Sequence, residues 1–269
     1  MIRTTRNTNT QHVLYNHPMF NELPSPIIIC HRGAKSYAPE NTLAAFKAAL
    51  ELGADGFELD TQLTSDGHVV VFHDPTVDRI TNGHGQLSKL PLAELRELDA
   101  GSSFSNEFRG EKIPTLDEVF ETVGKRAIIN VELKNFSTPF DNLAEKVCEV
   151  VRCHEMQKNI IFSSFLPWNL KKAARILPEV PRGLITIKGR WGVWGRSFGF
   201  NFGDYDALHP YLGDVTAQQV QRVHKLKRKI NVWVVNKEDD LQRLFNWGVD
   251  GILTDNPQLA LRITRRPSA

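Results

Sequence analysis

The chain has little of what marks a secreted scaffold, a membrane span or a polyanion binder. Only three of its 269 residues are cysteine, Cys30, Cys148 and Cys153. That odd, sparse count contains no CxxC pair. It argues against a disulfide framework and for core or helix cysteines in a reducing compartment. No apolar run approaches the roughly 20 residues that cross a bilayer, so no stable membrane insertion is expected. A formal net charge of +2 gives no electrostatic case for a nucleic-acid partner. The first 26 residues hold Arg3 and Arg6 and no acid before Glu22, but they lack the apolar centre of a secretory signal. Their basic, Thr-rich character bears a weak likeness to an organelle transit peptide. A flexible N-terminal arm over 1–26 and a cytoplasmic location are the expectation.

What is there is ordinary globular material, 41% hydrophobic and 24% charged, and enough of it to bury a sizeable core. From residue 27 onward short apolar runs alternate with helical patterns. Strands are expected at Ile27–Cys30, Gly53–Gln62, Arg126–Leu133, Asn159–Phe162, Pro181–Ile187, Ala207–His209, Ile230–Val235 and Gly251–Leu253. Helices are expected at Leu43–Leu52, Leu116–Val123, Asp141–His154, Trp168–Leu177, Ala217–Lys227, Asp239–Trp247 and Pro257–Ile263. Such alternation means a parallel sheet, and about eight units in this length suggest a closed α/β barrel more than an open doubly wound sheet.

Two stretches break the rhythm. Residues 74–114 separate the second strand from the next clear helix and read as a small insertion. Lys188–Tyr205, KGRWGVWGRSFGFNFGDY, is crowded with glycine and aromatics and shows no clear period. It is expected to be a lid or surface loop rather than a regular helix.

In a parallel barrel, reactive groups collect where strands end and loops begin. The run PIIIC ends in His31, Arg32 and Gly33, with Asn41 placed to cap the following helix. In ADGFELDTQL, Glu58 and Asp60 share one face of the strand, opposite Phe57, Leu59 and Thr61. Adjacent carboxylates on a strand buried on both sides need a cation or a basic partner. The third strand, AIINVELK, repeats the arrangement with Asn130, Glu132 and Lys134 on one face. Three carboxylates plus water suit Mg²⁺ or Ca²⁺, whereas structural zinc prefers Cys and His. Lys134 either neutralises an oxyanion or simply pairs with Glu132. His73 ends the run HVVVF, so a second imidazole reaches the same rim, and two histidines titrating near neutrality can exchange roles as acid and base. Together these groups amount to a kit for cleaving a phosphodiester.

At these residues the sequence resembles the glycerophosphodiester phosphodiesterase family. The matching text is HRGAKSYAPENT (31–42), FELDTQLTSDGHVVVFHDPTVDRITNGHG (57–85), IPTLDEVF (113–120), NVELK (130–134), VWVVN (232–236) and GILTDNP (251–257), within a likeness spanning roughly 27–262. The resemblance implies a TIM barrel over 27–265 with a small insertion after the second strand. It also implies divalent-cation-dependent hydrolysis of glycerophosphodiesters to glycerol 3-phosphate and an alcohol. Carried over position by position, the metal carboxylates fall on Glu58, Asp60 and Glu132, and the acid/base histidines on His31 and His73. The phosphate-contacting cations fall on Arg32 and Lys134, and a pocket-lining tryptophan on Trp233. The substrate's own glycerol hydroxyl is then the first nucleophile, giving a cyclic phosphate that water opens.

Trp191, Trp194, Phe198, Phe200 and Phe202 match no motif. They form either an apolar flap at the pocket mouth or packing against the barrel's outer helices. A flap points to lysophospholipids as substrates, that is, a lysophospholipase D. A phospholipase-C-like or sphingomyelinase-D-like enzyme on the same barrel, and a non-catalytic binding module, are the remaining readings. Of the other histidines, His209 is the one placed to matter, as a hydrogen-bonded barrel residue first and a substrate contact second.

Overall fold

The computed structural model describes residues 23–264. Most of the proposed arm, residues 1–22, lies outside the described residues. Among the described residues nine strands form a single sheet. They are β1 (Ile27–Cys30), β2 (Gly56–Leu63), β3 (Val69–Val71), β4 (Ile128–Leu133), β5 (Ile160–Ser164), β6 (Arg182–Ile185), β7 (Ala207–His209), β8 (Lys229–Val232) and β9 (Gly251–Thr254). All except β3 pair in parallel, and β1 contacts both β2 and β9, so these eight close into a barrel. β3 is a hairpin extension, antiparallel to β2 with Thr61 opposite Val71. The strand-like run before His73 is therefore real but lies outside the barrel wall.

Eight helices follow the strands or the insertion: α1 (Leu43–Glu51), α2 (Leu92–Glu97), α3 (Leu116–Val123), α4 (Leu143–Cys153), α5 (Pro167–Ile176), α6 (Ala217–Lys225), α7 (Glu238–Trp247) and α8 (Pro257–Ile263). Strand alternation sorts the core into two layers. Ile28, Cys30, Phe57, Leu59, Ile129, Val131 and Phe162 point outward against the helices, where Phe46 of α1 stacks on Phe57 at 4.5 Å. Ile27, Ile29 and Leu253 form one apolar cluster, and Ile128, Ile161 and Ala207 another. Leu23, just before β1, packs against both. Buried apolar area of this kind contributes roughly 25 cal/mol per Å² and holds the barrel closed. Cys30 and Cys148 are buried, Cys153 is exposed, and all three are free.

The insertion carries its own small core, in which Val70, Phe72, Val77, Ile80, Leu87, Leu95 and Ile113 cluster apart from the barrel. It hands over to α3 through a capping box: Thr115 Oγ1 accepts from Glu118 N at 3.2 Å while Thr115 N donates to Glu118 Oε2 at 2.9 Å.

Lys188–Tyr205 departs from the expectation of a loop. A 3₁₀ turn at Arg190–Gly192, a π-helical stretch at Gly195–Gly199 and a helical turn at Phe200–Phe202 wind it into an irregular helix. Glycine makes this winding possible: a Cβ on Gly192 would sit 1.7 Å from Ile187 O. Among the described residues no helix is long and apolar enough to cross a membrane.

Candidate active site

The pocket is built from strand register. β2 and β4 pair so that Glu58 lies beside Asn130 and Asp60 beside Glu132. Alternation sends all four side chains into the barrel's upper end. One oxygen from each of Glu58, Asp60 and Glu132 lies within 4.8 Å of the others, and all three residues are buried. Like charges this close in low dielectric disfavour ionisation. Burial and the charges of Asp60 and Glu132 push the Glu58 carboxyl well above the usual carboxylate range. Burial, partly opposed by Lys134, pushes Glu132 up to about 7. For Asp60, burial is outweighed by Lys134, His73 and Arg32 and by the Asn41 amide, so its carboxyl is held far below the usual range.

The loop after β1 supplies the counterweights. Arg32 and Gly33 turn through the left-handed region (φ 60° and 76°). A Cβ on Gly33 would lie 2.7 Å from Ala45 Cβ and 2.8 Å from the Ala45 carbonyl carbon, so only glycine fits this turn. The turn aims Arg32 N at Glu58 Oε2 (2.9 Å) and brings its guanidinium 3.5 Å from Asp60 Oδ2 and 2.9 Å from Glu40 Oε1. Lys134 Nζ donates to Asp60 Oδ1 at 3.0 Å and stands 3.9 Å from Glu132. Its partner is thus mainly Asp60 rather than Glu132. Asn41 corrects a further expectation. The cap of α1 is Thr42, whose hydroxyl accepts from Ala45 N, and Asn41 instead donates its amide to Asp60 Oδ2 at 2.9 Å.

Both imidazoles are held by an aspartate. His31 Nδ1 is 2.9 Å from Asp255 Oδ1. Burial raises the Asp255 carboxyl, but the hydrogen bond from His31 and the charges of His31 and Lys35 outweigh it, leaving the group at about 2. An ionised Asp255 accepts a hydrogen bond from Nδ1–H and leaves Nε2 of His31 as the free lone pair. Burial, with Arg32 and Lys35 nearby, keeps His31 below its ordinary value. His73 Nδ1 is 2.6 Å from Asp74 Oδ1. Burial lowers His73 too, while the charge of Asp60 is the largest effect favouring its protonated form. Arg79, from the insertion, binds both Asp74 and Glu40, tying the second histidine's partner to the arginine's partner.

The three acids, both histidines, Arg32 and Lys134 line one cavity of about 260 Å³. Its other wall is apolar: Trp233 meets Phe165 and Tyr211 edge-on, at 5.8 and 5.6 Å between ring centroids. Its indole N–H donates to His209 O. His209 also lines the cavity. Burial lowers its imidazole to about 3, Asn231 contacts its Nε2 at 3.0 Å, and its Nδ1 has no hydrogen-bond partner among the described residues. Every site residue expected from the sequence therefore lines this cavity. Sequence reasoning missed Asp255, Asp74, Glu40 and Arg79. Asp255 was within reach, because it directly follows the β9 apolar run just as His31 follows β1.

The acids fit a hard divalent cation. All three donors are carboxylate oxygens, and the buried Glu132 Oε1 has no hydrogen-bond partner among the described residues, as a ligand oxygen facing an ion would not.

An eight-stranded barrel with paired histidines, basic groups and a carboxylate cluster at one rim defines a phosphodiester-hydrolase type of site. The sequence profile of the Glycerophosphoryl diester phosphodiesterase family matches residues 31–259, and the chain belongs to that family. A glycerophosphodiester phosphodiesterase of Caldanaerobacter subterraneus subsp. tengcongensis is 39% identical over 241 residues, covering 89% of this chain and 98% of the relative. One from Bacillus altitudinis is 35% identical, covering 88% and 97%. Among solved structures, an Oleispira antarctica phosphodiesterase in complex with the product sn-glycerol-3-phosphate superposes with a TM-score of 0.82 at 33% identity, covering 90% of this chain and 97% of that one. The chain is accordingly an enzyme, a phosphoric diester hydrolase of the glycerophosphodiester type.

Proposed function

We propose that the protein hydrolyses small glycerophosphodiesters to glycerol 3-phosphate and an alcohol with the help of one divalent cation, Mg²⁺ or Ca²⁺, held by Glu58, Asp60 and Glu132. The observation carrying this reading is the convergence of those three acids beside Arg32, Lys134 and two aspartate-anchored histidines in a single cavity. When bound, such a cation supplies Lewis-acid stabilisation of the charge that develops on phosphate oxygens.

Arg32 and Lys134 share the remaining phosphate charge and orient the diester. Trp233 shapes the apolar wall against which the glycerol or head group lies. His31 is the better base, because Arg32 and Lys35 disfavour its imidazolium and Asp255 leaves Nε2 unprotonated. His31 Nε2 takes the proton of a glycerol hydroxyl, whose oxygen attacks phosphorus. The P–O bond to the alcohol breaks, and His73 Nε2 gives that oxygen its proton. A cyclic phosphate results. His73, now neutral, takes a proton from water, the hydroxide oxygen opens the ring, and His31 returns its proton to the glycerol oxygen. Use of a hydroxyl already attached to the substrate removes much of the entropic barrier.

The test is release of glycerol 3-phosphate from glycerophosphocholine by wild type, His31→Ala and His73→Ala, each after EDTA and after metal is restored. Both variants should fold and lose at least about 10³-fold in kcat. Near-wild-type turnover in both, or full activity in EDTA, overturns the proposal.

A further inference from the structure

The irregular helix at 190–202 presents the wrong face to water. Its exposed stripe is Trp191 (79% exposed), Trp194 (65%), Phe198 (57%) and Phe202 (76%), with Val193 and Ile187 beside it. The rings run together: Trp194 lies 6.2 Å from Phe198, and Phe198 lies 4.5 Å from Phe202. Its buried stripe is Gly192, Arg196 and Phe200. A helix folded for water alone would bury the rings and expose the arginine.

This orientation is actively held. Arg196 donates to Ile187 O (3.0 Å), Gly189 O (2.9 Å) and Asp214 Oδ2 (3.0 Å). Arg222 binds Arg196 O, and Arg228 binds Phe200 O and Gly203 O. Three arginines thus clamp the buried side and keep the aromatic side outward, so the stripe is not a frayed loop.

Position and charge identify the occupant. The helix follows β6, so it stands at the same barrel end as the cavity. Exposed Phe136 and Phe140 in the loop after β4, and Trp168 at the start of α5, extend the apolar surface around that rim; Phe140 stacks on Trp168 at 5.9 Å. Between Arg182 and Asp204 there is no acidic residue, while Lys188 and Arg190 are exposed beside the rings. Asp204 itself is paired with Arg182. Tryptophan and phenylalanine flanked by cations are the composition of segments that lie in the headgroup region of anionic bilayers. A second copy of the chain is a poorer occupant, because a two-fold contact would set these cations against themselves.

We propose that residues 187–202 form a peripheral docking surface for anionic membranes, which places the cavity mouth against the lipid headgroups. The inference does not depend on the catalytic roles assigned above, since docking needs neither histidine nor metal.

The experiment is co-sedimentation of the full chain with phosphatidylcholine vesicles, with and without about 30 mol% phosphatidylglycerol. Wild type should bind the anionic vesicles, with affinity falling as salt rises. Tryptophan emission should shift to the blue and be quenched by brominated lipid. The variant Trp191→Ser/Trp194→Ser/Phe198→Ser/Phe202→Ser should partition at least about tenfold more weakly while cleaving soluble glycerophosphocholine as wild type does. Lys188→Glu/Arg190→Glu should lose the preference for anionic vesicles. Should the quadruple variant not fold, Trp191→Ser/Trp194→Ser serves with the same readout. No binding by wild type, equal binding by the variants, or a wild-type dimer in ultracentrifugation that the aromatic variant dissolves, overturns the proposal.

Discussion

Asp255→Asn tests the proton logic of the site most sharply. The aspartate fixes which nitrogen of His31 carries a proton, and Lys35 stands ready to fix it the other way. Lys35 Nζ is 3.0 Å from Asp255 Oδ1 and 3.1 Å from His31 Nδ1. With the carboxylate present, lysine and imidazole both donate to it. With an amide in its place, the lysine's remaining charge is offered to Nδ1, which becomes an acceptor. The imidazole proton then moves to Nε2, the atom that must accept a proton from the substrate hydroxyl. A charge-assisted hydrogen bond between groups this sheltered (13% and 19% exposed) contributes roughly 1.5–3 kcal/mol. At about 1.4 kcal/mol per tenfold, that predicts a fall in kcat of about 10–100-fold at neutral pH. KM should move by less than about threefold, because Asp255 holds no substrate group. Adding Lys35→Met removes the competing donor and should recover about tenfold of the loss. The assay is steady-state release of glycerol 3-phosphate, with thermal unfolding to confirm the fold. A single variant within threefold of wild-type kcat, or a double variant no better than the single one, would refute the tautomer argument.

Three further outcomes follow from the same geometry. In EDTA, the stability contributed by Glu132 should fall as pH rises from 6.5 to 8. Glu132 is raised to about 7 in the folded state, so the folded protein keeps a proton that the unfolded chain has released, and stability is lost as pH passes the folded value. His31, His73 and His209 are lowered and contribute the opposite slope, which fades over about a unit above their unfolded value near 6.5, while Glu58 is raised and acts in the same sense as Glu132. Read as the difference between wild type and Glu132→Gln, in which the histidine contributions cancel, the Glu132 contribution is about 1 kcal/mol across the window and a divalent cation should abolish it; a difference that does not change with pH refutes this. Gly33→Ala should destabilise by about 2–3 kcal/mol in urea denaturation, since φ 76° and the 2.7 Å approach to Ala45 both oppose a side chain; a loss under 0.5 kcal/mol contradicts the strained-turn reading. Arg79→Met should change stability by under about 1 kcal/mol, because the residue is 48% exposed. It should still cut kcat about tenfold by freeing Asp74 and Glu40 together; unchanged turnover shows that this bridge is idle.

The barrel strands are legible because each is an apolar run bounded by polar or turn residues, and the site acids are legible because a period of two puts Glu58 and Asp60 on one face. What the sequence hides has a physical cause in each case. Asn41 looks like a helix cap, since Asn is good at capping, but Thr42 is one residue closer to the first turn and Asn41 is freed to bind Asp60. Asp255 is 224 residues from His31, and only barrel closure between β1 and β9 makes them neighbours. Val69–Val71 reads as a strand yet pairs antiparallel with the end of β2 and bridges to Thr115, outside the barrel wall. The segment 188–205 hides its helical period because a glycine and an arginine share the buried stripe with Phe200, so a search for apolar residues facing inward finds a single one.

The charges at the cavity explain why a cation belongs to the reading at all. Asp255 is matched by Lys35, while Glu40 and Asp74 share Arg79 and Glu40 draws on Arg32 as well. That leaves Glu58, Asp60 and Glu132 facing Arg32 and Lys134. Fully ionised, three carboxylates against two cations make the cavity an anion, the wrong sign for a phosphodiester that is itself an anion. The same excess shows in the direction of the shifts, since burial and acidic neighbours raise both Glu58 and Glu132. A divalent cation held by Glu58, Asp60 and Glu132 would offset that excess negative charge and relieve the repulsion between β2 and β4. Substrate affinity and the stability of the acidic cluster would thereby be linked to the same ion. Arg32 and Lys134 orient the phosphate but do not by themselves offset the cluster, since both also pair with Asp60 and Arg32 with Glu40.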